Sequence, residues 1–258
     1  MLTGLSALAV GPLLIAATPR RLVDAHTHLS AQSVERTVEI FDEVGIDWAL
    51  NLSGLWPGGP FESNLAAAQS SGRWVVSTNL PWRLAQKDIR FPRIAARLIE
   101  IAAAKGARAL KIEKALGLAV RHPDGHLLAV DSPWLDPVWS TAGRVGMPVV
   151  IHTGDPKAFW DPVDEHNERL EELSAHPGWS NHGLDLPSFD ELLAQLMNVV
   201  ARHPNTIFVA VHLEQQAVSG RRVRTAATTL LLLLLLLCAA PLLLLCATAV
   251  RRRVVLVV

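Results

Sequence analysis

Between residue 20 and Glu214, short apolar runs alternate with stretches whose apolar residues recur at helical spacing. The runs predict strands at Arg21–His26, Trp48–Leu52, Trp74–Asn79, Arg108–Ile112, Pro148–His152 and Thr206–His212. Each is short and nearly continuous in its apolar character, as a strand covered on both faces should be. Val34, Val38, Phe41 and Val44 share one helix face, and Gly45 stands where a left-handed C-cap belongs. Ile94, Leu98 and Ile101 repeat the pattern before Lys105-Gly106. Asp136-Pro137 reads as an N-cap followed by proline in the first turn. Ser188 and Glu191 form a capping box that opens a helix through Leu192, Leu196 and Val199 to Arg202. Such alternation predicts a parallel α/β fold. Polar residues at the strands' C-terminal ends favour a (β/α)8 TIM-barrel type over a doubly wound sheet. No glycine-rich phosphate loop follows the first strand, which speaks against a dinucleotide fold. Six βα units are found, so the barrel is expected to be incomplete, with further strands due after Glu214.

Composition divides the chain at that same point. Half of its 258 residues are hydrophobic and 19% are charged, which excludes a disordered chain. The formal net charge of zero is a cancellation. All 24 acids lie at or before Glu214 against 18 Lys and Arg, leaving that part at −6, while six Arg put the tail at +6. An acidic main body excludes a nucleic-acid binder. Both cysteines, Cys238 and Cys246, fall in the tail, so metal chemistry upstream must use His, carboxylates or Lys. Three segments follow. Residues 1–19 are apolar with the length of a signal-peptide core but no preceding basic residue, so localisation is left between cytoplasm and export. Residues 20–214 form the barrel portion. Residues 215–258 are rich in Leu and Arg. Within them Leu230–Val250 is long and apolar enough to span a bilayer as a helix. The same composition is what a shifted reading frame of GC-rich DNA would produce. The tail is therefore either a frameshift product or a helix that tethers the chain to a membrane.

The sharpest chemical signal is Asp24-Ala25-His26-Thr27-His28, at the end of the first strand. Residues i and i+2 of an extended strand point the same way, so His26 and His28 present two imidazoles together, suited to one divalent ion. His152, in Ile151-His152-Thr153-Gly154-Asp155, opens the loop after the fifth strand, and His212 ends the sixth. Lys111 lies between Leu110 and Ile112, which would face the helices and turn Lys111 and Glu113 inward. A buried lysine is costly unless it is neutral, modified or paired, here by reaching up to Glu113 or Asp155 at the rim. Other histidines carry less. His122 and His126 flank the turn Asp124-Gly125 and are expected at the surface. His166 sits in a polar stretch that could build a lid or substrate contact, with His176 and His182 weaker candidates. Trp82, Trp160 and Trp179 fall in post-strand loops, where apolar walls for a substrate are expected.

Taken together, these residues resemble the amidohydrolase superfamily, in its amidohydrolase-related branch of metal-dependent TIM-barrel hydrolases. The likeness rests on the Asp24–His28 motif, Lys111, His152 and His212 in order on strands one, four, five and six, and on the stretches LKIEKALGL, DSPWLDPVW, MPVVIHTGDP and DPVDEHNERLEEL. It runs from about residue 20 to 214. The resemblance implies metal ligation by His26, His28 and His152, with Zn²⁺ the expected ion. It makes His212 a ligand or a group that polarises water or substrate, and it gives Lys111 a catalytic position. The implied reaction is hydrolysis of a small amide, ester or lactone; decarboxylation of an aromatic acid and a non-catalytic, membrane-tethered fragment are the alternatives. The family also places an aspartate at the end of strand eight, and no acid follows Glu214. That departure predicts weak metal binding and little turnover.

Overall fold

The computed structural model describes residues 22–212 and the backbone of Val254–Val257. Seven parallel strands lie side by side in chain order: β1 (Leu22–Thr27), β2 (Ile46–Asn51), β3 (Trp74–Thr78), β4 (Ala109–Ile112), β5 (Val149–Ile151), β6 (Phe208–Val211) and β7 (Val254–Val257). Parallel neighbours need a crossover, and from β1 to β6 helices supply it. These are α1 (Val34–Val44), α2 (Phe61–Ser71), α3 (Trp82–Ala85), α4 (Phe91–Lys105), α5 (Asp136–Arg144), α6 (Leu170–Ala175) and α7 (Phe189–Arg202). The strict βα order curls the sheet into part of a TIM-type barrel; among the described residues β1 and β7 are its open edges.

Alternation along each strand divides the core into two layers. The outer layer, between sheet and helices, holds the wholly buried Trp139, Phe61, Phe91 and Phe208 together with Leu110, Ile112, Val149 and Ile151. Burying side chains of this size contributes about 1.5–3 kcal/mol each. A smaller inner cluster joins Leu50, Leu52, Ala109, Val150, Val209 and Val211 on the concave side. Since Leu110 and Ile112 face the helices and Ala109 faces inward, Lys111 also faces inward.

The terminators behave as their chemistry requires. Gly45 takes φ 75° after α1 and donates its N–H to Phe41 O. Ser188 and Glu191 make a reciprocal capping box on α7. Asp136 differs from expectation: it is the first residue of α5, after Leu135 at the N-cap position, and makes no cap bond. Its carboxylate instead accepts from Arg202 (3.1 Å) and lies 3.0 Å from His203 Nε2, which ties α5 to the end of α7. Helix α2, rich in Ala and Ser, lacks the apolar periodicity that announces the other long helices. The seventh strand lies in the tail, where a valine-rich run follows three arginines and pairs with β6 from Phe208↔Val254 to Val211↔Val257. Leu230–Val250 lies outside the described residues, as do residues 1–21. Among the described residues no helix is long and apolar enough to cross a membrane.

Candidate active site

Three strand ends converge on one cluster of imidazoles. His26 is the fifth residue of β1, where a register irregularity against β2 between Asp24 and Thr27 breaks the ladder. Its N–H donates to Asp24 Oδ1 at 2.9 Å, so the aspartate fixes the local backbone. The His26 ring centroid lies 5.5 Å from that of His28 and 4.8 Å from that of His212. His152, one residue past β5, lies 4.6 Å from His212. Inward placement of His152 follows from alternation, since Val150 is inward.

His212 does not follow that rule. Val211 already faces inward, so a continued strand would turn His212 towards the helices. The backbone takes φ 61° at His212, a left-handed conformation uncommon for a residue with a side chain, and this brings the ring back to the cluster.

The loops around the cluster are held by buried amides. Asn51 Oδ1 accepts from the backbone N–H groups of Leu29 (3.0 Å) and Ser53 (2.9 Å), while its Nδ2 donates to Leu29 O (3.1 Å). Ser53 Oγ then lies 2.7 Å from His28 Nδ1, leaving Nε2 as the ring's other nitrogen. Gly54 passes so close to β3 that a Cβ there would sit 1.7 Å from Ser77 O. Leu55 follows at φ 64°, held by bonds to Asn79 Oδ1 (2.8 Å), Asn79 N (2.8 Å) and Thr78 Oγ1 (3.0 Å). Glu113, beyond β4, accepts from Asn79 Nδ2 (2.6 Å) and Trp82 Nε1 (2.8 Å).

Electrostatics keep the imidazoles neutral. Burial, reinforced by the positive charge of Lys111, pulls His26 down to about 4 and His152 to about 3. His28 and His212 are lowered for the same two reasons, in the same order. Burial also lowers Lys111 to about 8, partly opposed by Glu113. Lys111 is 3% exposed, and among the described residues its Nζ has no hydrogen-bond partner. The two acids expected to meet it are engaged elsewhere: Glu113 as above, and Asp155 in an ion pair with Lys114. Neutral imidazoles with free lone pairs are the donor form a borderline divalent ion requires. These donors do not form a tight triad. Among the described residues, the group whose three donor atoms all lie within 4.8 Å is His122, Asp124 and His126, on a hairpin between β4 and α5.

A cavity of about 270 Å³ opens beside the cluster, lined by His152, His212, Lys114, Asp155, Phe159, Arg169 and Trp179, among others. Trp179 is half exposed and stacks on His176 at 4.1 Å, so that histidine supports a wall. Trp160 packs against Phe189 and donates to Pro187 O, a packing role, and His182 Nδ1 lies 3.0 Å from Trp160 O. His166 is exposed beside Glu165 and does not line the cavity. Ser53, Phe159 and Arg169 were not singled out by the sequence. Only the polar Asn-Leu-Ser run closing β2 hints at the first of them.

Comparison with known proteins bears on these residues. The sequence profile of the family described as Amidohydrolase matches residues 78–229, more than half of the chain. The match takes in Lys111, His152 and His212 and begins after His26 and His28. No curated protein matches the sequence. Among solved structures, a Staphylococcus aureus protein described as an amidohydrolase is 14% identical, with 77% of this chain and 69% of that one covered and a TM-score of 0.49. The 2,6-dihydroxybenzoate decarboxylase from Rhizobium is 13% identical, covering 76% and 67%, with a TM-score of 0.46. The 5-carboxyvanillate decarboxylase from Novosphingobium aromaticivorans, solved with bound manganese, is 18% identical, covering 70% and 50%, with a TM-score of 0.42. With its profile match running from β3 through β6, this chain belongs to the amidohydrolase family, whose members are enzymes that use divalent metals.

Proposed function

We propose that the chain is a metal-dependent hydrolase of a small amide, ester or lactone, with its chemistry at the strand-end imidazoles. The observation that carries this reading is the convergence of four histidines, from β1, β5 and β6, in a setting that holds them unprotonated. His26, His28 and His152 would hold the ion, and a nitrogen-rich donor set without thiolates suits Zn²⁺. Bound there, a divalent ion would polarise a carbonyl and bring the pKa of water to about 7. Ser53 fixes the orientation of the His28 ring through Nδ1. His212, turned in by its backbone and lining the cavity, hydrogen-bonds the substrate oxygen on which negative charge develops. Lys111 adds positive charge behind the cluster. Phe159 and Trp179 give the cavity its apolar walls.

A decarboxylase is the second reading: Lys114 and Arg169, paired with Asp155 and Glu172, stand beside those aromatic walls, where an aromatic carboxylate would compete with those acids for them. One experiment separates the two. Purified protein loaded with Zn²⁺ or Mn²⁺ is offered a panel of lactones, esters and hydroxylated benzoates in ¹⁸O-labelled water. Label in a product carboxylate supports hydrolysis. Carbon dioxide release with loss of the carboxylate and no label in the organic product supports decarboxylation. Turnover that survives His152→Ala would sink both.

A further inference from the structure

A second histidine cluster lies outside the strand-end site. Residues 121–127 form a small hairpin in the long connection from β4 to α5, closed by the isolated bridge Arg121↔Leu127. His122 N–H donates to His126 O (2.9 Å) and Gly125 N–H to His122 O (2.9 Å), with Gly125 at φ 94° making the reversal. These backbone bonds set the two histidines side by side. Their rings stack at 4.8 Å and 23°.

Between them stands Asp124. His122 Nδ1 lies 3.0 Å from Asp124 Oδ2, and His126 Nδ1 pairs with Asp124 Oδ1. One carboxylate therefore meets the same nitrogen of both rings, with one oxygen for each. Asp124 is itself fixed, because its Oδ1 also accepts the His126 backbone N–H at 3.1 Å. The hairpin does not float: the His122 ring packs edge-on against Trp134 at 4.7 Å, and Trp134 in turn contacts Phe91 of α4 and donates to Ile89 O.

We propose that His122, Asp124 and His126 form a second, peripheral site for a borderline divalent cation such as Zn²⁺. Zinc bonds of about 2.0–2.2 Å to nitrogen and oxygen put tetrahedral donors about 3.3 Å apart. The 3.0 Å separation between His122 and Asp124 is within a few tenths of an ångström of that spacing. All three donor atoms already lie within 4.8 Å of one another. On binding, each imidazole gives up its Nδ1 contact to the Asp124 carboxylate, and His122 also its contact with the Asp124 backbone N–H (3.4 Å); the ring proton then sits on Nε2 and the Nδ1 lone pair turns to the ion. Three protein donors leave a fourth tetrahedral position for water or for a donor from another molecule. Asp124 and His126 are more than half exposed, which gives the ion direct entry. The consequence is a clip on the β4–α5 connection, anchored through Trp134 to α4.

The inference is independent of the function proposed for the strand-end cluster. It is tested on the full chain, stripped with chelator and titrated with Zn²⁺, with bound metal counted after gel filtration. His126→Gln and Asp124→Asn should each remove one equivalent relative to wild type. His152→Asn should leave that equivalent in place. In ¹⁵N-histidine-labelled protein, Zn²⁺ should move the Nδ1 resonances of His122 and His126. Equal stoichiometry in wild type and His126→Gln, or unmoved Nδ1 resonances at saturating Zn²⁺, would overturn the proposal.

Discussion

The two histidine clusters reach similar crowding by opposite routes. At the strand ends, His26, His28, His152 and His212 are drawn from a span of more than 180 residues, and burial strips their protons. In the hairpin, His122 and His126 are four residues apart and share a carboxylate, His126 exposed and His122 largely covered by Trp134. The first cluster exists only when the sheet exists, and its donors must still close on an ion. The second needs a turn and one tryptophan to lean on. Desolvation therefore tunes the strand-end cluster, and local chelation defines the hairpin.

The sharpest way to break this contrast is His152→Ala. It should abolish turnover and cost more than the ~100-fold in metal affinity typical of lost supporting contacts, read by activity assay and metal titration. Gly54→Ala comes next. A Cβ 1.7 Å from a carbonyl oxygen forces the β2–β3 backbones apart, so urea unfolding should show a loss of about 3 kcal/mol. Strand-end metal affinity should fall with it while the hairpin keeps its ion; parallel loss at both sites would end the contrast. Ser53→Ala removes the partner of His28 Nδ1 and should weaken strand-end metal binding by about 10–100-fold with stability nearly unchanged.

Acid provides a finer probe. In the metal-free protein His26 and His152 titrate at about 4 and about 3, against the ordinary 6.5 of the unfolded chain. Between those values the unfolded chain holds more protons, so these two groups leave stability unchanged above pH 6.5 and lower it as pH drops towards 4. Urea midpoints measured across that window should decline, and His152→Asn should flatten the decline. A slope untouched by that substitution would remove desolvation as its cause. The smallest effect is His126→Gln without metal, expected within about 0.5 kcal/mol of wild type, as for other exposed positions.

How much of this could be read from the sequence varies by residue, and the reasons are physical. The first six strands were legible because a buried parallel strand needs an unbroken apolar run. His26 and His28 were legible because strand alternation makes a two-residue spacing meaningful. Lys111 was legible from its apolar neighbours, although its expected partners Glu113 and Asp155 are taken by Asn79, Trp82 and Lys114. Helix α2 was not legible, since alanine and serine carry little periodic signal. The strand at Val254–Val257 was hidden behind arginines and a leucine tract. Asn51 and Ser53 act through loop backbone and a side chain from another strand, contacts that no local pattern encodes. Both hairpin histidines were expected at the surface; His126 is there, but His122 is largely covered by Trp134 and the His126 ring, and the sequence left unsaid that one aspartate joins them.

His212 carries a consequence for anyone who would move this site elsewhere. Its side chain joins the cluster because the chain reverses its handedness at that one residue. A designer copying four histidines onto another barrel by matching strand positions would place the fourth facing the helices. The unit to transplant is the histidine together with its left-handed turn. At that position asparagine and glycine, which share a tolerance for positive φ, are the replacements that would preserve the path of the chain while deleting the ring.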